Sequence, residues 1–151
     1  MFDLKTMDMP RRLWRFPTGE AIDKLAARFG LRNDPGMEEW EHEVSDHTRI
    51  DEFLVAYETA GMSDDEKFTL MQTIIDSFDS LAHRGGDLSS DSRWQRTLKF
   101  LNENIRLHAY AVWYWSCPDA VNDDELFYVS PFIRQILAAH REYFAEQGGG
   151  A

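Results

Sequence analysis

Apolar side chains recur at helical spacing through most of the chain, and this periodicity limits the fold more than any other feature. After Ser63 one such stripe consists of Phe68, Met71, Ile75, Phe78 and Ala82. Residues three and four positions apart lie on one face of an α-helix, so the stripe predicts a helix that buries this face. Ser63 and Glu66 have the spacing of a capping box, which begins a helix by satisfying two backbone N–H groups.

Five further segments repeat this pattern, each with its own start or stop signal. Gly30 and Gly61 follow two of the stripes, and Pro35 and Pro131 stand where two others begin. Glycine ends helices because it adopts left-handed backbone angles easily, and proline fits the first turn because no N–H is needed there. We therefore predict an all-α fold, a bundle of about six helices.

The longest stripe begins at Trp94 and reaches Trp115 with alternating spacings of four and three residues. Flanking apolar residues make it wider than the seam of a two-stranded coiled coil, so we predict a long central bundle helix near residues 91–116. A chain of 151 residues has the usual size of one domain. We expect a single domain over residues 1–151, with an N-terminal arm at residues 1–17 and a frayed tail at residues 147–151.

The charge is strongly acidic and unevenly placed. Twenty-seven acidic and 16 basic side chains give a net charge of −11, which would repel the phosphates of nucleic acids and anionic lipids. Residues 34–91 hold 16 of the acids and 3 of the bases. The pattern predicts an electrically lopsided molecule and argues against nucleic acid or a membrane as its partner.

Cysteine use and hydropathy indicate the compartment. Cys117 is the single cysteine, so no internal disulfide is available, and residues 1–14 contain no apolar run of the signal-peptide kind. The longest apolar run covers residues 109–115, far short of the roughly 20 residues that a membrane span needs. We expect a cytoplasmic protein without a membrane segment, in which Cys117 has no catalytic role.

Two stretches in the first half of the chain carry a resemblance. They read LAARFGLRNDPGMEEWEHEV (residues 25–44) and DEFLVAYETAGMSDDEKFTLMQTIIDSFDS (residues 51–80). They resemble a group of small, acidic, uncharacterised proteobacterial proteins. The resemblance implies no activity and no site residue, since none is assigned to that group.

A dense polar cluster lies at residues 38–47. Within it, Glu39 and His42 form an E-x-x-H pair, the spacing found in metal sites of helical bundles. Such sites need a second copy, and no other Glu stands three residues before a His. We therefore predict a solvated acidic face without a metal or cofactor. The candidate protein-binding residues are Glu38, Glu39, Glu41, Glu43, Asp46, Asp64 and Asp65.

A second candidate surface is aromatic. Four large rings crowd six positions near the end of the long stripe: Tyr110, Trp113, Tyr114 and Trp115. They span more than one helix face, so either surrounding helices bury them or some of them contact a ligand or a protein. His108 and His140 lie on apolar stripes, where we expect core histidines. A pairing between these two histidines, or a role in a pocket, remains an alternative.

The N-terminal arm mixes cations with rings. Residues 10–17 read PRRLWRFP, a mixture also found in proteins that bind single-stranded nucleic acid. The acidic charge of the chain favours a different interpretation. We expect Trp14 and Phe16 to pack on the bundle and the arginines to pack on the acidic helices.

Enzyme motifs are missing from the sequence. It contains no phosphate-binding glycine loop, nucleophile elbow, zinc-type Cys/His set or EF-hand loop. We therefore predict a non-enzymatic protein-binding domain, an acidic inhibitor or immunity-type protein that recognises a basic protein by charge complementarity. Two alternatives stay open: a small-molecule binder or enzyme with a pocket of aromatic and His residues, and a structural subunit or homodimer that uses the aromatic end as its interface.

Overall fold

The computed structural model describes residues 9–145, which divide into two compact units. The acidic unit comprises residues 16–86, and the aromatic unit comprises residues 87–145 together with residues 9–15. Within residues 9–145 there are eight α-helices and no strand, which confirms the all-α prediction. The single domain over residues 1–151 stays a prediction. The frayed tail and the first eight residues of the arm lie outside the described residues.

Four helices form the acidic unit around its longest member. They are α1 (Gly19–Phe29), α2 (Trp40–Glu43), α3 (Ile50–Glu58) and α4 (Asp64–His83), with a 3-10 turn at His47–Arg49. The other three helices and the 3-10 turn all contact α4. Its side chains Met71, Ile75 and Phe78 are fully buried, so the stripe predicted from the sequence lines the core of this unit.

The start of α4 and the end of α1 follow the predicted signals. Ser63 Oγ accepts a hydrogen bond from Glu66 N at 3.1 Å, and Glu66 Oε1 accepts one from Ser63 N at 3.2 Å, which confirms the capping box. At the end of α1, Gly30 has φ +64°, the left-handed region that favours glycine. Residues within one turn of the helix therefore determine where α1 ends and where α4 begins.

The helix expected after Pro35 is shorter than the sequence pattern predicted. Its α-helical part, α2, begins only at Trp40. Asp34 stands just before Pro35, where the sequence predicts the N-cap of this helix. It does not cap a helix, because its carboxylate accepts a hydrogen bond from the Arg32 guanidinium at 2.7 Å. With that cap engaged elsewhere, residues 34–39 form turns and bends.

The aromatic unit contains the other four helices. They are α5 (Ser92–Glu103), α6 (Ile105–Ser116), α7 (Ser130–Ala139) and α8 (Arg141–Ala145), with 3-10 turns at Arg11–Leu13, Leu88–Ser90 and Asp123–Glu125. The α6 and α7 helices contact each other most extensively. Trp94, Val112 and Ile133 are fully buried, so three of these helices share one core.

The predicted long helix at residues 91–116 is divided at Asn104. This residue has φ −117° and ψ +41°, outside the helical region, and its Nδ2 donates to Phe100 O at 3.2 Å. A short polar side chain competes in this way with the backbone bonds of a continuous helix. His140 divides the last predicted helix similarly, with φ −111°. These two divisions account for eight helices where six were predicted.

The described part of the N-terminal arm is only partly buried. Trp14 and Phe16, expected to pack on the bundle, are exposed. The Arg12 guanidinium lies over the ring of Tyr143 and donates to Tyr143 O. Leu13 is buried and holds the turn on the aromatic unit. Across residues 9–145, helices with the length and apolarity of a membrane span are absent.

Candidate functional site

The charge asymmetry of the sequence coincides with the division of the chain into units. Residues 16–86 carry 16 acidic and 6 basic side chains, a net charge of −10. The rest of the sequence carries 11 acidic and 10 basic side chains, a net charge of −1. Nearly all of the excess negative charge therefore belongs to one compact unit.

Four of the predicted protein-binding carboxylates are exposed: Glu38, Glu39, Glu43 and Asp64. Within residues 9–145, the ion pairs that form include none of these four side chains. Glu43 has a local role as well, since its carboxylate accepts a hydrogen bond from Glu39 N at 3.0 Å. The remaining exposed oxygens face solvent, where they are able to meet a partner.

The other predicted carboxylates are partly buried: Glu41, Asp46 and Asp65. The Asp46 carboxylate accepts hydrogen bonds from the N–H and the hydroxyl of Thr48 at 2.9 Å and 2.6 Å. These bonds lower the pKa of Asp46 because they favour its charged form. Only 13% of the Glu41 side chain is exposed. Asp46 therefore orders a 3-10 turn, and Glu41 presents little surface to a partner.

His42 joins α2 to α4. Its Nδ1 lies 3.0 Å from Asp76 Oδ2, and its Nε2 lies 3.8 Å from Glu41 Oε2. Burial alone would lower the pKa of His42, but the hydrogen bond and charge of Asp76, with the charges of Glu41 and Glu39, raise it above 6.5. Sequence reasoning missed Asp76, which is 34 residues away along the chain.

The E-x-x-H pair is separated by these contacts. The His42 ring bonds Asp76, while Glu39 is exposed and acts on the ring through its charge. In the part of the chain that the structure describes, no three His, Cys, Asp or Glu side chains are grouped as metal ligands. The exposed carboxylates of this cluster therefore lie beside a partly buried His42–Asp76 pair.

An open cleft of about 240 Å³ lies where α1 and α4 begin. It is lined by Thr18, Glu20, Ala21, Lys24, Ser63, Asp65 and Glu66. The two helix N-termini are covered by their own caps, since Thr18 Oγ1 and Ser63 Oγ each accept a backbone N–H bond. Lys24 pairs with Glu20 at 3.2 Å. The cleft was not predicted, because its two sides are distant in the sequence: the nearest pair, Lys24 and Ser63, is 39 residues apart.

The aromatic candidates divide between core and surface. His108 and Trp115 are buried, Tyr110 and Trp113 are partly buried, and Tyr114 is exposed. The rings of Tyr114 and Trp115 contact each other, with centroids 5.3 Å apart, and both contact the ring of Phe127. Phe127 was missed because it follows the helix in an irregular segment. Most of this cluster is packed, and one edge of it reaches solvent.

The C-terminal end of α6 is held by α7. Arg134 donates from Nε to Ser116 O at 2.7 Å and from its terminal nitrogen to Cys117 O at 2.6 Å. Ser130 Oγ donates to Trp115 O at 2.7 Å. These bonds satisfy the last carbonyl groups of the helix, which have no partner within it.

His140 meets α5 through an amide. Its Nε2 lies 3.1 Å from Asn102 Oδ1. The His140 ring therefore bonds Asn102 and not His108. The sequence left a pairing of His108 with His140 open, and the hydrogen bonds described for His140 do not include it. His140 is instead placed at the division between α7 and α8, where it bonds across to a neighbouring helix.

Comparison with known proteins found no match: no family model fits the chain, and neither a curated protein nor a solved structure is significantly similar to it. The function is therefore argued from charge, exposure and contacts.

Proposed function

We propose that the protein is a non-enzymatic binding domain whose acidic unit recognises a basic protein, as an inhibitor or immunity-type protein does. The single observation that carries this proposal is the net charge of −10 within residues 16–86, beside −1 for the rest of the sequence. We place the encounter in the cytoplasm, because Cys117 is the single cysteine.

Exposed carboxylates would act on the rate of encounter. Like charges concentrated on one unit create a potential that attracts an oppositely charged protein and orients it. Glu38, Glu39 and Asp64 are suited to this role, because they are exposed and take no part in the ion pairs formed within residues 9–145. Glu41 and Asp46 are less suited, because local contacts engage them.

A pocket of aromatic and His residues has less support as the functional site. Trp115 and His108 are buried, and Trp115 packs on Tyr114 and Phe127. A ligand would have to displace these core contacts to reach them. A protein surface needs no such displacement.

The experiment uses charge reversal with a matched control. A partner is captured from cells that carry the protein, and its association rate is measured by stopped flow over a range of salt concentrations. The reversal Glu38→Lys/Asp64→Lys acts on exposed carboxylates of the acidic unit, and Glu103→Lys/Glu142→Lys changes the net charge equally on exposed residues of the aromatic unit.

We expect association to slow as salt rises, because charges further apart than about 10 Å are screened at 0.1 M salt. The reversal in the acidic unit should slow it several-fold more than the control reversal, because encounter rates follow the local potential. Equal effects of both reversals would mean that the association rate depends on the net charge of the whole protein and not on the acidic unit. An association rate that responds to neither salt nor reversal would remove the acidic unit from recognition.

A further inference from the structure

The segment between α6 and α7 forms a second acidic surface, on the aromatic unit. We name residues 119–128 the acidic loop. Val121 is 79% exposed and Tyr128 is 53% exposed, and four exposed carboxylates accompany them: Asp119, Asp123, Asp124 and Glu125. Glu125 is used within the loop, where it accepts a hydrogen bond from Asn122 N at 2.9 Å. The other three carboxylates point to a recognition surface of mixed apolar and negative character.

No cation of the same segment neutralises this loop. The sequence from residue 107 to residue 133 contains neither Lys nor Arg. Asp119, Asp123 and Asp124 also belong to none of the ion pairs found within residues 9–145. Exposed apolar side chains beside uncompensated carboxylates fit a partner surface that combines a cation with an aromatic ring.

The same unit carries a surface of that opposite kind. Trp14 is 48% exposed, and the Arg11 guanidinium lies over its ring, 5.2 Å from the centroid. We name Arg11 and Trp14 the cationic knob. Arg11 is exposed, and no carboxylate of the described chain forms an ion pair with it.

The knob is held in place by its neighbours. Trp14 Nε1 donates to Met9 O at 3.2 Å, and Leu13 is buried. Arg12 lies over the ring of Tyr143, with its guanidinium carbon 5.1 Å from the centroid. A pre-ordered anchor loses little conformational entropy when it binds. Arginine and tryptophan are also the residue types that contribute most energy at protein interfaces.

We propose that the cationic knob of one copy binds the acidic loop of a second copy. The two surfaces are complementary in charge, both combine charge with exposed apolar groups, and one chain carries both. A single such contact joins two different surfaces, so it builds a closed ring where the geometry closes and longer chains where it does not. Two copies related by a two-fold axis would instead make the contact twice, as a dimer. The proposal concerns the aromatic unit and stands apart from recognition of a basic protein by the acidic unit.

The test follows the mass of the full chain by sedimentation over a range of protein concentrations at low salt. The knob variant is Arg11→Glu/Trp14→Ala, and the loop variant is Asp123→Lys/Asp124→Lys. We expect the natural chain to associate as its concentration rises, and both variants to remain monomers. Each variant keeps one intact surface, because the substitutions lie on opposite sides of the contact.

The decisive measurement is the mixture of the two variants. The intact loop of the knob variant and the intact knob of the loop variant form one contact, so an equimolar mixture should give a species of twice the monomer mass. A variant that merely failed to fold could not restore association. The reversal Glu38→Lys/Asp64→Lys, which lies in the acidic unit, should leave the self-association unchanged.

Four results would overturn the proposal. The natural chain could remain a monomer at all concentrations, or the mixture of variants could remain monomeric while each variant keeps its helical circular dichroism. Self-association could also persist in both variants, or disappear in Glu38→Lys/Asp64→Lys, which would place the contact on another surface. Each result leaves recognition by the acidic unit open, because that is measured by the rate of binding to a basic partner.

Discussion

Two stretches with the same apolar spacing fold differently, and the comparison shows what periodicity reports. In the acidic unit, α4 runs unbroken over 20 residues. In the aromatic unit, the corresponding stripe forms α5 and α6, which are separated at Asn104. Both stretches bury the predicted face. Periodicity therefore identifies the buried face of a helix but does not show whether the helix is continuous.

Short polar side chains bond backbone carbonyl groups in both stretches, so these bonds alone do not explain the difference. In α4, Thr69 Oγ1 donates to Asp65 O and Ser77 Oγ donates to Thr73 O, at 2.8 Å and 2.7 Å. These hydroxyl groups bond the carbonyl four residues earlier and leave the helix intact. Asn104 also bonds a carbonyl four residues earlier, but its own backbone leaves the helical region. The buried polar groups of α4 are thus compatible with its continuity.

The largest expected effect tests whether the two units have equally packed cores. Phe53 in the acidic unit contacts Phe29, with ring centroids 5.1 Å apart, and Trp94 in the aromatic unit contacts Phe132 at 5.9 Å. Both residues are fully buried. Phe53→Ala and Trp94→Ala should each lower the free energy of unfolding by about 3–5 kcal/mol, measured by chemical denaturation.

Val55→Ala is the matched control for the core substitutions. Val55 lies on the same helix as Phe53, but it is exposed, so its loss should change the free energy of unfolding by less than about 0.5 kcal/mol. If one large substitution cost no more than Val55→Ala while the other cost several kcal/mol, the two cores would not be equivalent.

The next effect concerns how the two units end their helices. Both α1 and α6 end at a residue in the left-handed region, Gly30 and Cys117, but in the aromatic unit Arg134 also covers the end of α6. Arg134→Lys keeps the charge but cannot reproduce two bonds from a planar group. We expect a loss of about 1.5–3 kcal/mol in thermal or chemical denaturation, in the range for hydrogen bonds to charged groups.

Arg141→Lys provides the comparison for this substitution. Arg141 is exposed and makes a single described hydrogen bond, to Ala138 O at 3.3 Å. Its replacement should therefore stay within about 0.5 kcal/mol of the natural chain. Similar losses for both arginines would mean that positive charge, and not the bonded geometry, stabilises the end of α6.

The sequence predicts most of the fold because the signals that begin and end helices are local. The Ser63–Glu66 capping box and the end of α1 at Gly30 depend on residues within one turn, and the structure has both. The failures involve competing partners. Asp34 bonds Arg32 and does not begin a helix, and Asn104 leaves the helix although its stripe continues. Spacing alone carries no information on which partner a polar side chain takes.

The candidate site was predicted less completely than the fold. Exposure of Glu38 and Asp64 follows from their positions on or before a polar helix face, and the structure places both on the surface. Other contacts around the candidate residues join parts of the chain that are distant in the sequence. Asp76 meets His42 on another helix, and Arg134 reaches the end of α6 from α7. No periodic pattern in one sequence indicates such pairs.

A smaller effect is expected at the N-caps of α4 and α6, because only the first makes a side-chain hydrogen bond to its helix. Ser63 Oγ accepts a hydrogen bond at the start of α4, whereas the Asn104 side chain makes no capping bond at the start of α6. Ser63→Ala should lower the free energy of unfolding by about 1 kcal/mol, and Asn104→Ala should lower it by less. Denaturation of the two variants side by side gives the difference. A larger loss for Asn104→Ala would show that the division between α5 and α6 is itself stabilising.

The smallest expected effect depends on pH and belongs to the acidic unit alone. His42 is bonded to Asp76 on α4, and this bond with the nearby negative charges holds the pKa of His42 above its ordinary value of 6.5, against the opposing effect of burial. A folded-state pKa above the unfolded one means that the folded chain holds the proton more tightly. The resulting stabilisation is fully present below pH 6.5 and disappears as the pH rises through the raised pKa.

His42→Gln removes the titrating group and keeps a polar side chain of similar reach. The natural chain should exceed this variant in free energy of unfolding by about 0.5 kcal/mol at pH 6, the scale of a partly exposed ion pair, and the excess should fall as the pH rises towards 9. Asp76→Asn should remove most of this pH dependence, and the double variant should show little more than Asp76→Asn alone, because both substitutions act on one pair. An excess that stays constant or grows between pH 6 and pH 9 would mean that the neutral imidazole, through packing or a hydrogen bond, makes the contribution. The acidic charge would then have no part in joining α2 to α4, although the unit would keep it on its surface.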